Sequence, residues 1–585
     1  MESIQPDLKA PRERLCQIIT PVGMLGYGFN VADVEFGLQL SLEAKAPTAI
    51  ILDSGSTDSG PAKLALGTMT CPRSAYERDL RQLIRLVQRY HVPLLISSAG
   101  GDGSNAHVNE FLEIIRETLE TSGSSSLKVL SIYCETRKEW LLHQLEAGKV
   151  SGCGPCVPAL TVEDIKATPT IVGQIGPEPM VRAMAAHPEF DILVAGRAYD
   201  PSPFVAFCAF KSSTNSYASA LNLSSTVLGG FTHMGKLMEC GGACATPKCA
   251  ASMATIYCDG SFDIRPLASG SRCTATSVAA HALYEKCRPD ILHGPGGCLD
   301  LTTANYSVLD DRITVHVDGS VFKASKHANT PYTMKFEGAK IIGHRTIFMG
   351  SFCDPILIQQ LPSLLSRVRA YVTEQHSHVG EAWSLYFHIY GFNPSIPAEH
   401  RGEVFLVGEA LAENQALATD IASCARVACV HGAYAGQKAT SGNFGMGIGG
   451  KLEIEMGVCA EFSVYHLVEL EEGQEYAQEI QFLEERESAK EVDGKFLKWE
   501  MRVLGKGPRI DKTDCQAPGK NTNGERINTL APGSRSTPTT ASSAPKTLGD
   551  IASVVRSKNA GPYEITLDVI FDDPAVYQRI KEARL

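Results

Sequence analysis

The chain has 585 residues, a formal net charge of -11, 44% hydrophobic and 20% charged residues, the profile of a soluble globular protein that can bury large cores without disulfides or structural metals. An acidic balance with no basic stripe argues against nucleic acid as a partner. No run approaches about eighteen apolar residues and residues 1–30 carry both signs of charge, so neither a membrane span nor a secretory signal is expected, and the cytoplasm is the expected location. Eighteen cysteines, scattered without regular spacing, read as reduced and mostly buried thiols.

From residue 15 to about 210, short runs rich in Ile, Val and Leu alternate with helical patterns, which predicts a mostly parallel α/β sheet with crossover helices. The strand candidates are residues 15–20, 49–53, 93–98, 128–134, 169–173 and 191–196. Residues 74–91 read as a helix with a capping box of Ser74 and Glu77 and an apolar face of Tyr76, Leu80, Leu83, Ile84 and Val87. Residues 211–504 read as an α+β continuation, with a helix at 277–286, an alternating antiparallel strand at 312–318, a helix at 409–430, a small-residue loop at 431–450 and an acidic helix at 467–491. Residues 505–546 are dense in Pro, Gly, Ser, Thr and Asn and read as a disordered linker. It leads to a tail, 547–585, with a strand at 563–571 and a helix at 574–583. That is too little for a core of its own, so the tail must dock on the main body or on another subunit.

Ligands of parallel sheets bind outside the carboxyl ends of the strands, and the informative loops fall there. The first strand is followed by Gly23, Gly26 and Gly28, the second by Asp53 to Gly60 including Asp58, and the third by Gly100, Gly101, Asp102, Asn105 and His107. The last gives Gly196, Arg197, Tyr199 and Asp200. Taken singly, each is also ordinary turn and N-cap chemistry; their convergence is what gives them a functional reading. Arg197 reads either as a clamp for a substrate carboxylate or phosphate, with Asp200 orienting it, or as half of a local ion pair.

The densest reactive cluster joins His233, Lys236, Glu239, Cys240, Gly241, Gly242 and Cys244. On a helix His233, Lys236 and Cys240 share a face, so Cys240 reads as a thiolate nucleophile or acid, with the paired glycines freeing N–H groups for an oxyanion. The alternative is a buried helix ending in a glycine cap with inert thiols. The loops at 293–297 and 440–445, with Asn443, are either further backbone donors or turns. No dinucleotide or phosphate-loop signature is present, Cys153-Gly-Pro-Cys156 lacks a redox setting, and Cys240, Cys244 and Cys249 lack zinc spacing, so no cofactor and no metal is expected.

The chain resembles the acyclic terpene utilisation (AtuA-like) family, in its fungal and bacterial branch. The matching stretches are Ser56 to Pro61, Ser98 to Gly101, Ala195 to Arg197 with Asp200, His233 to Lys236 with Glu239, Cys240 and Gly241, and Ser277 to Glu285. The resemblance implies a setting in which branched acyclic terpenoid acids are degraded as CoA thioesters, and a small ferredoxin-like C-terminal domain whose opening is similar to Leu548 to Ser557.

The function expected is a cofactor-independent enzyme, a homo-oligomer, acting on a small branched carboxylic acid or its acyl thioester as a hydratase, dehydratase or lyase. Arg197 would hold the acid group, Asp58 and Asp102 are acid/base candidates, and Cys240 with Glu239 is a nucleophile or acid pair. Two other readings stand beside it, a non-catalytic scaffold partner of an acyl-CoA enzyme with the tail as tether, and a cysteine-dependent thioester hydrolase.

Overall fold

Five of the six apolar runs expected in a parallel sheet form one. In the computed structural model, which describes residues 12–55, 60–212, 222–284, 286–380, 382–393, 395–396, 402–438, 443–446, 450–480, 496–508, 547–559 and 561–583, the strands are β1 (Arg14–Thr20), β2 (Thr48–Asp53), β3 (Leu94–Ser97), β4 (Leu127–Tyr133), β5 (Val150–Gly152), β6 (Ile171–Gly173) and β7 (Ile192–Ala195). The parallel core runs β1-β2-β3-β7-β4. Antiparallel strands extend both edges, with β8 (Ser252–Tyr257) beside β1 and Lys498–Leu504 beside β4, to eleven strands in all. The run at 169–173 is the exception. Its β6 pairs antiparallel with Phe336–Gly338 of the strand Tyr332–Phe352, and β7 takes the place between β3 and β4.

Helices cover both faces. Side chains alternate along a strand, and Ile19, Ile50, Leu94 and Ile96 share a core with the helices Val31–Ala44, Arg73–Tyr90 and Asn105–Ser122. Cys16, on the other face of β1, meets Cys208 of helix Ser202–Ser212 at 3.8 Å, and that helix packs with Glu178–Ala186 and Ser225–Met238. The connection after β3 therefore leaves on one face and that after β7 on the other, which opens a crevice between their carboxyl ends.

The chain divides into two compact units, Met1–Gly338 with Phe462–Leu585, and Ala339–Glu461. The second unit takes the strand that ends at Phe352, helix Leu361–Gln375, strands Trp383–Tyr390 and Val404–Ala412, helix Gln415–His431, and the strand that begins at Ile454. This β-α-β-β-α-β sequence, with the first-named strand between the third and the fourth, is a ferredoxin-like arrangement. It lies in a stretch read from sequence as plain continuation. The C-terminal tail is smaller: a hairpin of Val554–Asn559 and Ile565–Ile570 followed by helix Pro574–Ala583. It docks within the larger unit, where Arg556 donates to the Ala280 carbonyl at 2.6 Å and the Thr276 hydroxyl donates to Asp572 at 3.0 Å.

Several expected elements differ. The helix Arg73–Tyr90 has no side-chain cap; Pro72 precedes it, and Glu77 pairs with Arg73 instead of closing a box with Ser74. The helix expected at 409–430 begins at Gln415, capped by Asn414, because residues 404–412 alternate in burial and form a strand. The acidic helix expected at 467–491 is not found in its described part, where residues 467–470 end the strand Ile454–Leu470 and Gln478–Glu479 form a short strand; residues 481–495 lie outside the described residues, as does most of the linker. The helix at 277–286 is Ala275–Ala282, opened by a capping box of Thr274 and Ser277. Among the described residues no helix is long and apolar enough to cross a membrane, and no cysteine forms a disulfide.

The loop after β1 is held by Asp79, 2% exposed, which accepts the Gly26 and Gly28 N–H groups at 2.9 and 3.0 Å. Each buried donor left unpaired costs about 1–3 kcal/mol. Asp79→Ala is therefore expected to lower stability in urea by about 2–4 kcal/mol, and an unchanged unfolding midpoint would show that the loop does not depend on this carboxylate.

Candidate active site

The carboxyl ends of β2, β3 and β7 meet at a buried charged centre. Asp53 ends β2, is 3% exposed, and stands opposite Ser97, whose hydroxyl donates to it at 2.7 Å. Burial, and then the Asp200 carboxylate, push the Asp53 carboxyl up to about 7 against the pull of Arg197. A carboxyl balanced near neutrality can both take and give a proton.

β3 gives way to Ser98, a non-glycine residue at φ 52°, a conformation that costs about 1–3 kcal/mol and persists where surroundings enforce it. The enforcing group is Arg197 in the loop after β7. Its Nη1 donates to Ser98 Oγ at 3.2 Å and to the Ala198 carbonyl at 3.1 Å, while the Ala198 N–H donates to the same hydroxyl at 3.3 Å. Nε and Nη2 donate to Glu337 at 3.1 and 3.4 Å. Asp200 lies 3.9 Å away, so the principal partner comes from a distant strand and not from the local pair weighed in the sequence. With these donors engaged, Arg197 is an internal tie and not an open clamp.

Glu337 also receives Lys335 at 2.5 Å. Burial alone would raise the Glu337 carboxyl, but Arg197 and Lys335 overcome it and hold it well below its ordinary range. Burial likewise opposes the Arg197 charge, which Glu337, Asp200 and Asp53 more than restore. Lys63, Asp102, Arg197, Glu337 and Tyr465 line a void of about 10 Å³, room for about one water. Burial there, with Arg197 adding to it, draws the Lys63 ammonium down to about 8. On the other side of Arg197, Asp200 reaches Lys236 at 3.5 Å, and Lys236 reaches Glu239 at 2.7 Å.

Of the residues named from sequence, Asp102, Arg197, Asp200, Lys236 and Glu239 are brought into this network, with Gly100, Gly101 and Gly196 in the loops that carry it. Asp102 serves His107. Its Oδ1 lies 2.6 Å from His107 Nδ1, while Nε2 is 3.3 Å from the Gly67 carbonyl. A carbonyl and a carboxylate both only accept, so the two contacts favour the doubly protonated ring. Burial opposes that charge, and the bond to Asp102 raises the ring above its ordinary value. Asn105 opens the next helix and gives its backbone N–H to Glu135 at 2.6 Å.

Other expected roles are corrected. His233 is fully buried, bonded to Ser320 at 2.7 Å and Tyr306 at 3.3 Å, and burial takes its ring down to about 3. It is a neutral core histidine and not a base. Helix Ser225–Met238 ends before Cys240, so Cys240 does not share a helical face with Lys236, whose partner is Glu239. The Gly242 N–H donates to the Ala250 carbonyl at 2.8 Å and Gly241 turns the chain at φ 61°, so this pair is a turn and not an oxyanion hole. Asn443 belongs to the second unit and closes its own loop by donating to the Gly432 carbonyl at 2.9 Å. Asp58 lies outside the described residues. Among those residues no group of three or more His, Cys, Asp or Glu side chains is arranged to hold a metal ion.

Sequence reasoning missed Lys63, Lys335 and Glu337, and gave Asp53 and Ser98 no role beyond their place in the strand-end loops. For two of them the signal was present: Lys335 and Glu337 are charges two apart on one face of a strand whose neighbours Met334 and Phe336 are buried.

Replacing Glu337 by Gln leaves two buried cations short of a counter-charge, which costs about 3–5 kcal/mol. Because the folded carboxyl is depressed below its ordinary 4.5, its contribution is complete above that value and is lost only as pH falls toward the folded one. The stability gap between wild type and Glu337→Gln, measured by urea unfolding, is expected to be flat from pH 6 to 8 and to narrow below about pH 4.5.

The family model described as acyclic terpene utilisation family protein AtuA matches residues 46–446, and one described as a domain of unknown function (DUF4387) matches residues 548–585. No curated protein and no solved structure matches the chain.

Proposed function

The chain belongs to the acyclic terpene utilisation family, and from that premise we propose that the centre between β3 and β7 is the acid–base site of a hydratase, dehydratase or lyase acting, without a cofactor, on a small branched carboxylic acid or its acyl thioester. Family membership points to acyclic terpene utilisation as the setting. The observation that carries the reading is Asp53, a buried carboxyl balanced near neutral pH at the end of a parallel strand, beside an arginine whose position is fixed from two directions.

In this reading the Asp53 carboxylate removes a proton from the carbon beside the substrate carbonyl, and the bonding pair moves onto the carbonyl oxygen. Collapse of that enolate expels a neighbouring hydroxyl, which departs as water with the proton that Asp53 took; hydration is the reverse. Arg197 is a positioning residue that keeps Asp53 from a full rise in pKa, and Glu337 and Lys335 fix Arg197. Lys236, between Asp200 and Glu239, balances the carboxylates on the far side.

The test incubates the full chain with a panel of branched acids and their CoA thioesters and reads loss or gain of water by mass spectrometry. Asp53→Asn, which keeps an acceptor for Ser97, is expected to melt as the wild type does and to lose about 10²–10⁴-fold in turnover. In the direction that needs the base, wild-type kcat/KM is expected to rise with pH through about 7. Turnover indifferent to Asp53→Asn would overturn the assignment.

A further inference from the structure

The larger unit contains a second, much roomier space that the acid–base centre does not use. It is a cavity of about 540 Å³, in the range of small-molecule sites. Four aromatic rings line it, those of Tyr199, Phe322, Tyr332 and Tyr476. Among the described lining residues the charges are three carboxylates, Glu178, Glu472 and Glu475, against one ammonium, Lys326. Tyr332 donates to Glu178 at 3.1 Å, and the Tyr199 hydroxyl is buried without a hydrogen-bond partner.

The wall is built into the backbone. A Cβ on Gly294 would stand 2.7 Å from the Tyr199 ring, and one on Gly296 would stand 2.6 Å from the Tyr332 ring. A Cβ on Gly176 would stand 2.2 Å from the Glu178 carboxylate and 2.7 Å from the Tyr332 hydroxyl. The His293 to Gly297 loop, read from sequence as backbone donors or a turn, thus clears room for two aromatic faces.

Aromatic faces carry negative quadrupole charge and attract cations, most strongly where water is excluded. Carboxylates on the same wall add to that attraction and repel an acid group. We propose that this cavity binds an organic ammonium ion, a substituted amine on a mostly apolar body, with the rings around the cationic head and Glu178 as its counter-charge. Burial pushes the Glu178 carboxyl up to about 7, with Glu475 adding to it and Tyr332 and Lys326 opposing, so a bound cation would restore the charge that burial suppresses.

The assignment is independent of the proton-transfer reading, and its test reads binding alone. Titration calorimetry of the full chain compares choline, its uncharged carbon isostere dimethylbutanol, and a branched carboxylate. Choline is expected to saturate one site and to bind at least tenfold more tightly than the isostere, with no competition from the carboxylate. Glu178→Gln and Tyr476→Ala are each expected to weaken choline at least tenfold while melting as the wild type does, and Asp53→Asn to leave it unchanged. Should Glu178→Gln not fold, Tyr476→Ala and the isostere still decide. Equal binding of the isostere, no saturable choline heat, or tight binding of the carboxylate would overturn the proposal.

Discussion

A buried carboxylate shared by two cations is the constraint on which the larger unit depends. Glu337 could not stay ionised at this burial without Arg197 and Lys335, and neither cation would be tolerable there without it. The guanidinium is planar and its donors are fixed in a fork, so docking it on Glu337 also decides where its remaining donors go. They reach Ser98 and the Ala198 carbonyl, which draws the end of β3 against the loop after β7 and holds Ser98 in a left-handed conformation. Asp53 is left buried, close enough to a cation to be eased but without a full ion pair of its own. Burial and Asp200 set its balance near neutrality, and Arg197, held in place by Glu337, eases it.

Much of this was legible in the sequence and some was not, for physical reasons that differ. Strands buried on both faces announce themselves as continuous apolar runs, which is why β1, β2, β3, β4 and β7 stood out. The run at 169–173 has the same composition, but which sheet a strand joins is decided by competition for a place, and composition does not record that. The loops at the carboxyl ends were recognisable as a set, since Arg197, Asp200 and Asp102 all lie in the centre. Their partners were not, because Glu337 is an ordinary glutamate until a fold places it 3.1 Å from an arginine 140 residues away. His233 and Cys240 were overvalued because spacing along a helix says which residues share a face but not what that face meets, nor where the helix stops.

The glycines teach a related lesson. Read alone, a glycine pair suggests exposed N–H groups, yet the Gly242 N–H is spent on Ala250. Gly294 and Gly296 matter for the volume they do not occupy, because aromatic rings fill it. A loop whose glycines are required by side chains from elsewhere cannot be understood from its own residues.

The insertion of β7 between β3 and β4 has a consequence for how the chain is made. Until residues 192–195 have left the ribosome, the facing edges of β3 and β4 have no strand to pair with, and local hydrogen bonding cannot close the gap. Arg197 follows at once, but its counter-ion emerges 140 residues later. During that interval the end of the half-built sheet carries a cation without its principal partner, with only Asp200 and Asp53 near it, so the region that later holds the most fixed geometry is an unsuitable nucleus. High sequence separation of this kind slows folding and prolongs the exposure of strand edges. The sequence separation thus predicts a vulnerable stage in synthesis of the larger unit, which the Lys335–Glu337 segment shortens by supplying the counter-charge.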